Sequence, residues 1–289
     1  MKFTLQLDPV KDVEGGNEKG VSIAEFQALV ANGRNGALLF DIETGPAEES
    51  VLEELFKDVE VKLPENPGRF DPSKVKYGNT KDPAKKQEKL SSEMAKHQSA
   101  CESWADDCRK AKDDAWKEFV DKAPLSPLTG RVMAIGYGLT NGKDAPVLCI
   151  DATPDNEHLM LIRLWNLVSV ARKRSTKIAS FNGHRFDFPF CRRRSWAYTD
   201  INPPDLVTKY GKYEDGFYDV LEIYQRGGAY KDSIKLDRLA QMMSVQRKME
   251  GVTGEMFHQL IQTDRQKALD YLTGDILCLE AVAERMRIL

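Results

Sequence analysis

The chain has 289 residues, of which 41% are apolar and 30% charged, with a formal net charge of −3. This composition is ordinary for a soluble protein with a buried core, and no global positive field advertises a nucleic-acid partner. No apolar run approaches the ~20 residues that cross a bilayer, the opening MKFTLQLDPVKDVEGG lacks a signal-peptide core, and the five cysteines form no CxxC pair; a reducing cytoplasm is the expected compartment, without a disulfide framework or zinc knuckle.

Residues 1–35 read as an N-terminal extension with a short strand at Phe3–Leu7, a glycine-rich loop and a helix from Ser22 to Ala31. ALLFD then forms a strand that ends at Asp41 before a break at Gly45-Pro46. Residues 36–289 are expected to form one domain, interrupted at about 47–129 by a polar insertion. Within the insertion, Asp82–Lys122 contains no glycine and one proline, Pro83. Its apolar or small residues recur at Leu90, Met94, Cys101, Trp104, Cys108, Ala111 and Ala115. With His97 on the same seam, steps of four and three predict a long helix, straight or folded into a hairpin, that packs by one stripe. His97, Cys101 and Cys108 are read as packing residues, because zinc sites favour tighter spacing.

RVMAIGYGLT (131–140) and APVLCID (145–151) predict two strands joined by an Asn141-Gly142 turn. PDNEHLMLIRLWNLVSVARKR is an amphipathic helix, KIASFN (177–182) a buried strand, and helices follow to the end.

The side chains that carry chemistry are acidic. Asp41 and Glu43, two apart on a strand, share a face and repel each other unless something positive lies between them. In SFNGHRFDFPF, Asp187 sits between Phe186 and Phe188, where an ionised carboxylate requires a partner; Pro189 suits the first turn of a following helix. TDRQKALDYLTGDILCLEAVAERM predicts a helix opened by a Thr263/Gln266 capping box. Its core stripe is Leu269, Leu272, Ile276, Leu279 and Met286, with Tyr271 and Asp275 one turn apart beside it. Gly274 in mid-helix, at a cost of about 1 kcal/mol against Ala, predicts a close neighbour.

In order, DIET, NGHRFD and YLTGD resemble motifs I, II and III of the DEDD exonuclease superfamily: DxE, Nx3(F/Y)D and Yx3D. The closest similarity is to the proofreading exonuclease domain of family B DNA polymerases and its stand-alone relatives, over about residues 36–46 and 131–289. The histidine subclass places His five residues before the last acid; here that position is Asp270, and Tyr271 matches the tyrosine subclass instead. The resemblance implies a ribonuclease H-like α/β fold, a mixed sheet flanked by helices, with a long helical insertion.

It also implies catalytic Asp41, Glu43, Asp187, Tyr271 and Asp275, the four acids holding two divalent ions, Mg²⁺ or Mn²⁺, and Tyr271 orienting the water. Thr44, Asn182 and Phe186 would contact the substrate, although Asn182 as a turn residue and Phe186 as core are equally good readings. The basic stretch Arg172, Lys173, Arg174, Lys177, Arg185, Arg192, Arg193 and Arg194 either lines the substrate groove or is a solvated helix end, and Asp219 is read as structural. The expected activity is a 3′–5′ exonuclease on single-stranded DNA. No polymerase domain is expected in a chain that closes soon after Asp275, and a replication or repair partner would dock on the insertion. An RNA-trimming exonuclease and a non-catalytic nucleic-acid-binding scaffold are the alternatives.

Overall fold

The computed structural model describes residues 21–32, 36–141, 144–209, 211–226, 233–249 and 251–289. The strand expected at Phe3–Leu7, the glycine-rich loop after it and Gly142 of the expected turn lie outside the described residues. The chain divides into two units, Met1–Pro46 with Pro124–Leu289, and Ala47–Ala123.

In the first unit, α1 (Ile23–Ala31) opens with a reciprocal cap: Ser22 Oγ accepts from Glu25 N–H and Glu25 Oε2 accepts from Ser22 N–H at 2.9 Å. The sheet has the order β3-β2-β1-β4-β5, from β1 (Ala37–Pro46), β2 (Gly130–Thr140), β3 (Val147–Asp151), β4 (Lys177–Ser180) and β5 (Phe217–Asp219). The β1, β2 and β3 strands form an antiparallel meander, and β4 and β5 add in parallel. This is the mixed sheet of a ribonuclease H-like α/β fold. Two expectations change here. The first strand does not end at Asp41 but runs to Pro46, paired throughout with β2. And β5, three residues long, gives too short a pattern for periodicity to reveal.

Both faces of β1 are buried, and alternation assigns each residue a side. Leu38, Phe40 and Ile42 join the core with Phe26, Val30 and the apolar stripe of α4 (Glu157–Lys173). Leu39 joins the opposite core with Ile276, Leu279 and Val282 of α9 (Arg265–Arg285). Helix α9 sits unusually close to the sheet because β2 presents glycines there: a Cβ at Gly136 would lie 2.9 Å from Leu272 Cγ, and one at Gly138 2.7 Å from Ile276 Cγ2. Around this frame lie α5 (Asp187–Ser195), α6 (Val220–Tyr224), α7 (Leu236–Met243) and α8 (Gly254–Thr263).

The start of α9 differs from expectation. Thr263 is the last residue of α8, its hydroxyl donating to Gln259 O at 3.0 Å. Asp264, wedged between the two helices, caps α9 by accepting from Lys267 N–H at 3.1 Å. A carboxylate one residue later displaces the hydroxyl as cap.

The second unit contains α2 (Glu49–Phe56) and α3 (Pro83–Lys122), a single helix of 40 residues capped by Asp82, about 60 Å long. It does not fold back as a hairpin. Its seam is covered instead by the extended chain between the helices: Trp104 Nε1 donates to Pro64 O at 3.2 Å, His97 Nε2 lies 3.3 Å from Pro67 O, and the His97 ring meets Phe70 edge-on. Phe56 packs against Trp116 and Phe119 at the other end. An extended strand covers less than a partner helix would, so no α3 residue is fully buried and Met94 stays 57% exposed.

Candidate active site

The alternation that sends Leu39 into the core under α9 brings Asp41 and Glu43 to the same face, two and four residues further along β1. Along α9, Tyr271 and Asp275 lie beside Leu272 and Ile276, so they meet β1 where its apolar face ends. Pairing of β1 with β2 shifts between Glu43 and Thr44, with Met133 left over; a bulge at this point re-aims the end of the strand. One carboxylate oxygen each from Asp41, Glu43 and Asp275 lies within 4.8 Å of the others.

Asp187 reaches the same place from α5. Its carboxylate and that of Asp41 both accept from Ile42 N–H. The preceding loop must be tight: a Cβ on Gly183 would sit 1.9 Å from Ser180 Oγ and 3.2 Å from Asp187 Oδ2. Gly254, at the start of α8, likewise leaves space above Glu43, since a Cβ there would lie 3.3 Å from Glu43 Oε2.

Sequence reasoning missed Lys248. Its Nζ donates to Asp275 Oδ2 at 2.5 Å and stands 5.8 Å from the centre of the Tyr271 ring. Asp237 of α7 aims the loop that carries it, by a two-pronged ion pair with Arg247 at 3.0 and 2.6 Å and by accepting from Lys248 N–H. No local pattern in VQRKME marks a lysine for this role; only the approach of the α7–α8 connection to α9 creates it.

The electrostatics are those of an undercompensated acidic site. Burial, and then the charge of Asp41 and Asp275, pushes Glu43 well up; burial and Asp41 do the same to Asp187. Burial raises Asp41 to about 7 against the pull of Lys248, and burial raises Asp275 despite the same lysine. Burial and the charges of Glu43, Asp275 and Asp41 push the Tyr271 phenol up, so it stays a neutral donor. One ammonium against four carboxylates leaves a large negative excess, and the buried Asp275 Oδ1 has no hydrogen-bond partner. The donor set is oxygen only, which suits Mg²⁺ or Mn²⁺ over softer ions. Three carboxylate oxygens within ligand range of one another, one each from Asp41, Glu43 and Asp275, fit a divalent ion.

The expected substrate contacts fare differently. Thr44 is buried, and its hydroxyl donates to Pro124 O at 2.8 Å, which ties down the chain where it re-enters the unit. Asn182 adopts a left-handed backbone (φ 64°), its N–H donating to Asp219 Oδ1 and its carbonyl accepting from Arg185 and Phe186; this is the turn role. Phe186 is half-buried and packs on Phe190 at 5.5 Å. Asp219 is structural, its carboxylate accepting from the N–H groups of Asn182, His184, Leu221 and Glu222.

The basic stretch does not line a groove as a set. Arg172 pairs with Glu214, Lys177 donates to Ile288 O, Arg192 pairs with Asp205, and Arg194 forks onto Glu157 and reaches Pro127 O. These cations fasten elements together. Among the described residues, no helix is long and apolar enough to cross a membrane.

No curated protein sequence matches the chain. A model of the RNase H superfamily matches residues 120–285. β1, with Asp41 and Glu43, precedes that span and is separated from it by the second unit. The match covers more than half of the chain and spans β2 to β5 with the helices that carry Asp187, Tyr271 and Asp275, so the protein belongs to the RNase H superfamily.

Proposed function

We propose that the protein is a divalent-metal-dependent 3′–5′ exonuclease that removes nucleoside 5′-monophosphates from single-stranded DNA. The observation that carries this reading is the convergence of Asp41, Glu43 and Asp275 within 4.8 Å, with Asp187 beside Asp41. Four acids from three separate elements, three of them buried and Asp41 half-buried, held against mutual repulsion, have no use in a scaffold, because each would be more stable replaced by an apolar residue.

Asp41, Glu43 and Asp275 would hold one Mg²⁺ or Mn²⁺, and Asp41 with Asp187 a second. When bound, such ions supply a hydroxide nucleophile at neutral pH and shield the phosphate charge. The chain's own residues do the rest. Tyr271, neutral and adjacent to Glu43 and Asp275, donates a hydrogen bond that orients the attacking water. Lys248, in reach of the same acids, offsets their charge between turnovers and keeps Asp275 facing the site. The resemblance of DIET, NGHRFD and YLTGD to the three exonuclease motifs supplies the 3′–5′ polarity.

The test is a time course on 5′-labelled single-stranded DNA and RNA of matched sequence, in Mg²⁺, Mn²⁺ or EDTA, with wild type beside Asp275→Ala. A metal-dependent ladder that shortens from the 3′ end on DNA and vanishes in the variant is the expected result. A ladder on RNA alone replaces the substrate. Intact oligonucleotides in every lane refute the enzyme.

A further inference from the structure

Charge in the second unit is sorted by position. Residues 47–61 carry six acids and one lysine, and residues 90–122 eight acids and six bases. Residues 62–89 carry eight bases and four acids. The contacts along α3 place these stretches in space. Pro64 lies beside Trp104 and Phe70 beside His97, so the chain from residue 71 onward continues past His97 to the beginning of the helix. Lys74, Lys76, Lys81, Lys85, Lys86 and Lys89 thus collect at one end of the unit, and all six are exposed.

Two features separate this patch from an ordinary solvated face. First, among the described residues none of the six lysines makes a close ion pair, although Lys74 acts on Asp71 and Lys89 on Glu93 at longer range, whereas Lys57–Glu54, Lys96–Glu93, Arg109–Asp106 and Lys122–Glu118 all pair elsewhere in the unit. Two of the nearby acids are occupied by backbone: Asp71 accepts from Ser73 N–H and Asp82 from Ala84 N–H. Second, the placement works against the helix. Lys85, Lys86 and Lys89 stand in the opening turns of α3, the end where the macrodipole favours acids. Helix stability does not explain that arrangement, but attraction of an anionic partner does.

We infer that this basic end of the second unit is a nucleic-acid-binding surface that contacts the phosphodiester backbone without reading sequence. The choice of nucleic acid over an acidic protein rests on the nuclease reading above. The patch offers exposed ammonium groups, and such groups suit evenly spaced phosphates.

The experiment measures binding of the full chain to a long single strand and to a duplex, in EDTA, across a salt series. It compares wild type with a variant in which the six lysines become Gln. A control variant changes Lys96, Arg109, Lys110, Lys112, Lys117 and Lys122 to Gln. Loss of six phosphate contacts lowers the slope of log K against log salt by about 4 on a single strand and weakens low-salt binding by more than about tenfold. The control binds as wild type. Equal losses in both variants, or none in the first, overturn the inference. Metal-dependent cleavage of a dinucleotide, which presents a single phosphodiester, is followed separately and is unchanged in the six-lysine variant. Failure of wild type in that assay refutes the nuclease reading and leaves the binding comparison interpretable.

Discussion

Among the described residues, two groups of side chains in the first unit have the composition of a metal site: Asp41, Glu43 and Asp275, and His184, Asp219 and Glu222. They differ in what their donor atoms are already doing. Asp219 accepts four backbone N–H bonds, which fold the loop between β4 and α5 onto the start of α6. His184 is held at Nδ1 by Glu222, at 2.7 Å, and its ring stacks on Tyr213 at 3.8 Å, while its buried Nε2 has no hydrogen-bond partner. In the acidic group, Asp275 Oδ1 is buried and unpartnered, and burial holds all the carboxyls above their ordinary range. The difference lies in the carboxylates: backbone N–H groups consume that of Asp219, which makes a clasp, whereas Asp275 keeps one oxygen unspent.

The sharpest way to break this distinction is to delete one acid from each group. Asp275→Ala should lower metal-dependent hydrolysis by at least about 10³-fold and leave the fold intact. Asp219→Ala should instead cost about 2–4 kcal/mol of stability by stranding four N–H groups, and Mn²⁺ affinity, read by calorimetry, should stay near wild type. Loss of metal affinity in the second variant would make the two groups one site.

The raised carboxyls set a pH dependence with a definite sign. A group whose pKa is higher folded than unfolded holds its proton longer in the folded state, so stability falls as pH rises between the two values. For Asp41 the window runs from about 3.8 to about 7, and Glu43 and Asp187 extend it upward. Thermal melts in EDTA should therefore show the protein more stable at pH 5 than at pH 8. Each pKa unit is worth about 1.4 kcal/mol, and excess Mg²⁺ should recover most of the loss at pH 8. A melting temperature in EDTA that rises across this window would contradict the burial described for the acids.

Lys248 sharpens the comparison further, since it belongs to the acidic group alone. Lys248→Met should destabilise the metal-free protein at pH 8 by about 1–3 kcal/mol, because the buried Asp275 carboxylate is left uncompensated. At pH 5, where the acids carry protons, the cost should shrink. Paired urea titrations at the two pH values measure it, and an equal cost at both would mean that the lysine packs rather than neutralises.

Much of this was legible beforehand, for identifiable reasons. The helix expected over Ser22–Ala31 is there, and the runs expected as strands at 37–41, 131–140 and 177–182 are apolar enough to be strands whatever surrounds them, although the last stops at Ser180. Periodicity put Asp41 with Glu43, and Tyr271 with Asp275, on shared faces, and the resemblance of DIET, NGHRFD and YLTGD to three exonuclease motifs joined them into one expected site. Lys248, β5 and the Asp264 cap were not, because each is decided by a neighbour distant in sequence or by a contest between adjacent residues. The same limit applies to Arg194: its charge suggested substrate, yet Glu157 and Pro127 hold it in place.

The glycines of the α9–sheet contact give the smallest test. Gly136 is required by close approach, since a Cβ there would crowd Leu272 at 2.9 Å and Ile276 at 3.0 Å. Gly274 was expected to be required for the same reason, but the nearest atom to its Cβ position is Met249 N, at 3.7 Å. That is ordinary contact, so the helix bears the entropy of a glycine without a steric return. Gly274→Ala should then stabilise the protein by about 0.5–1 kcal/mol and raise its melting temperature by roughly 1–3 °C, while Gly136→Ala should lower it. If Gly274→Ala melts lower instead, the Lys248–Met249 loop must press closer to α9 than this packing implies, and the lysine would owe its position to that pressure as well as to Asp237.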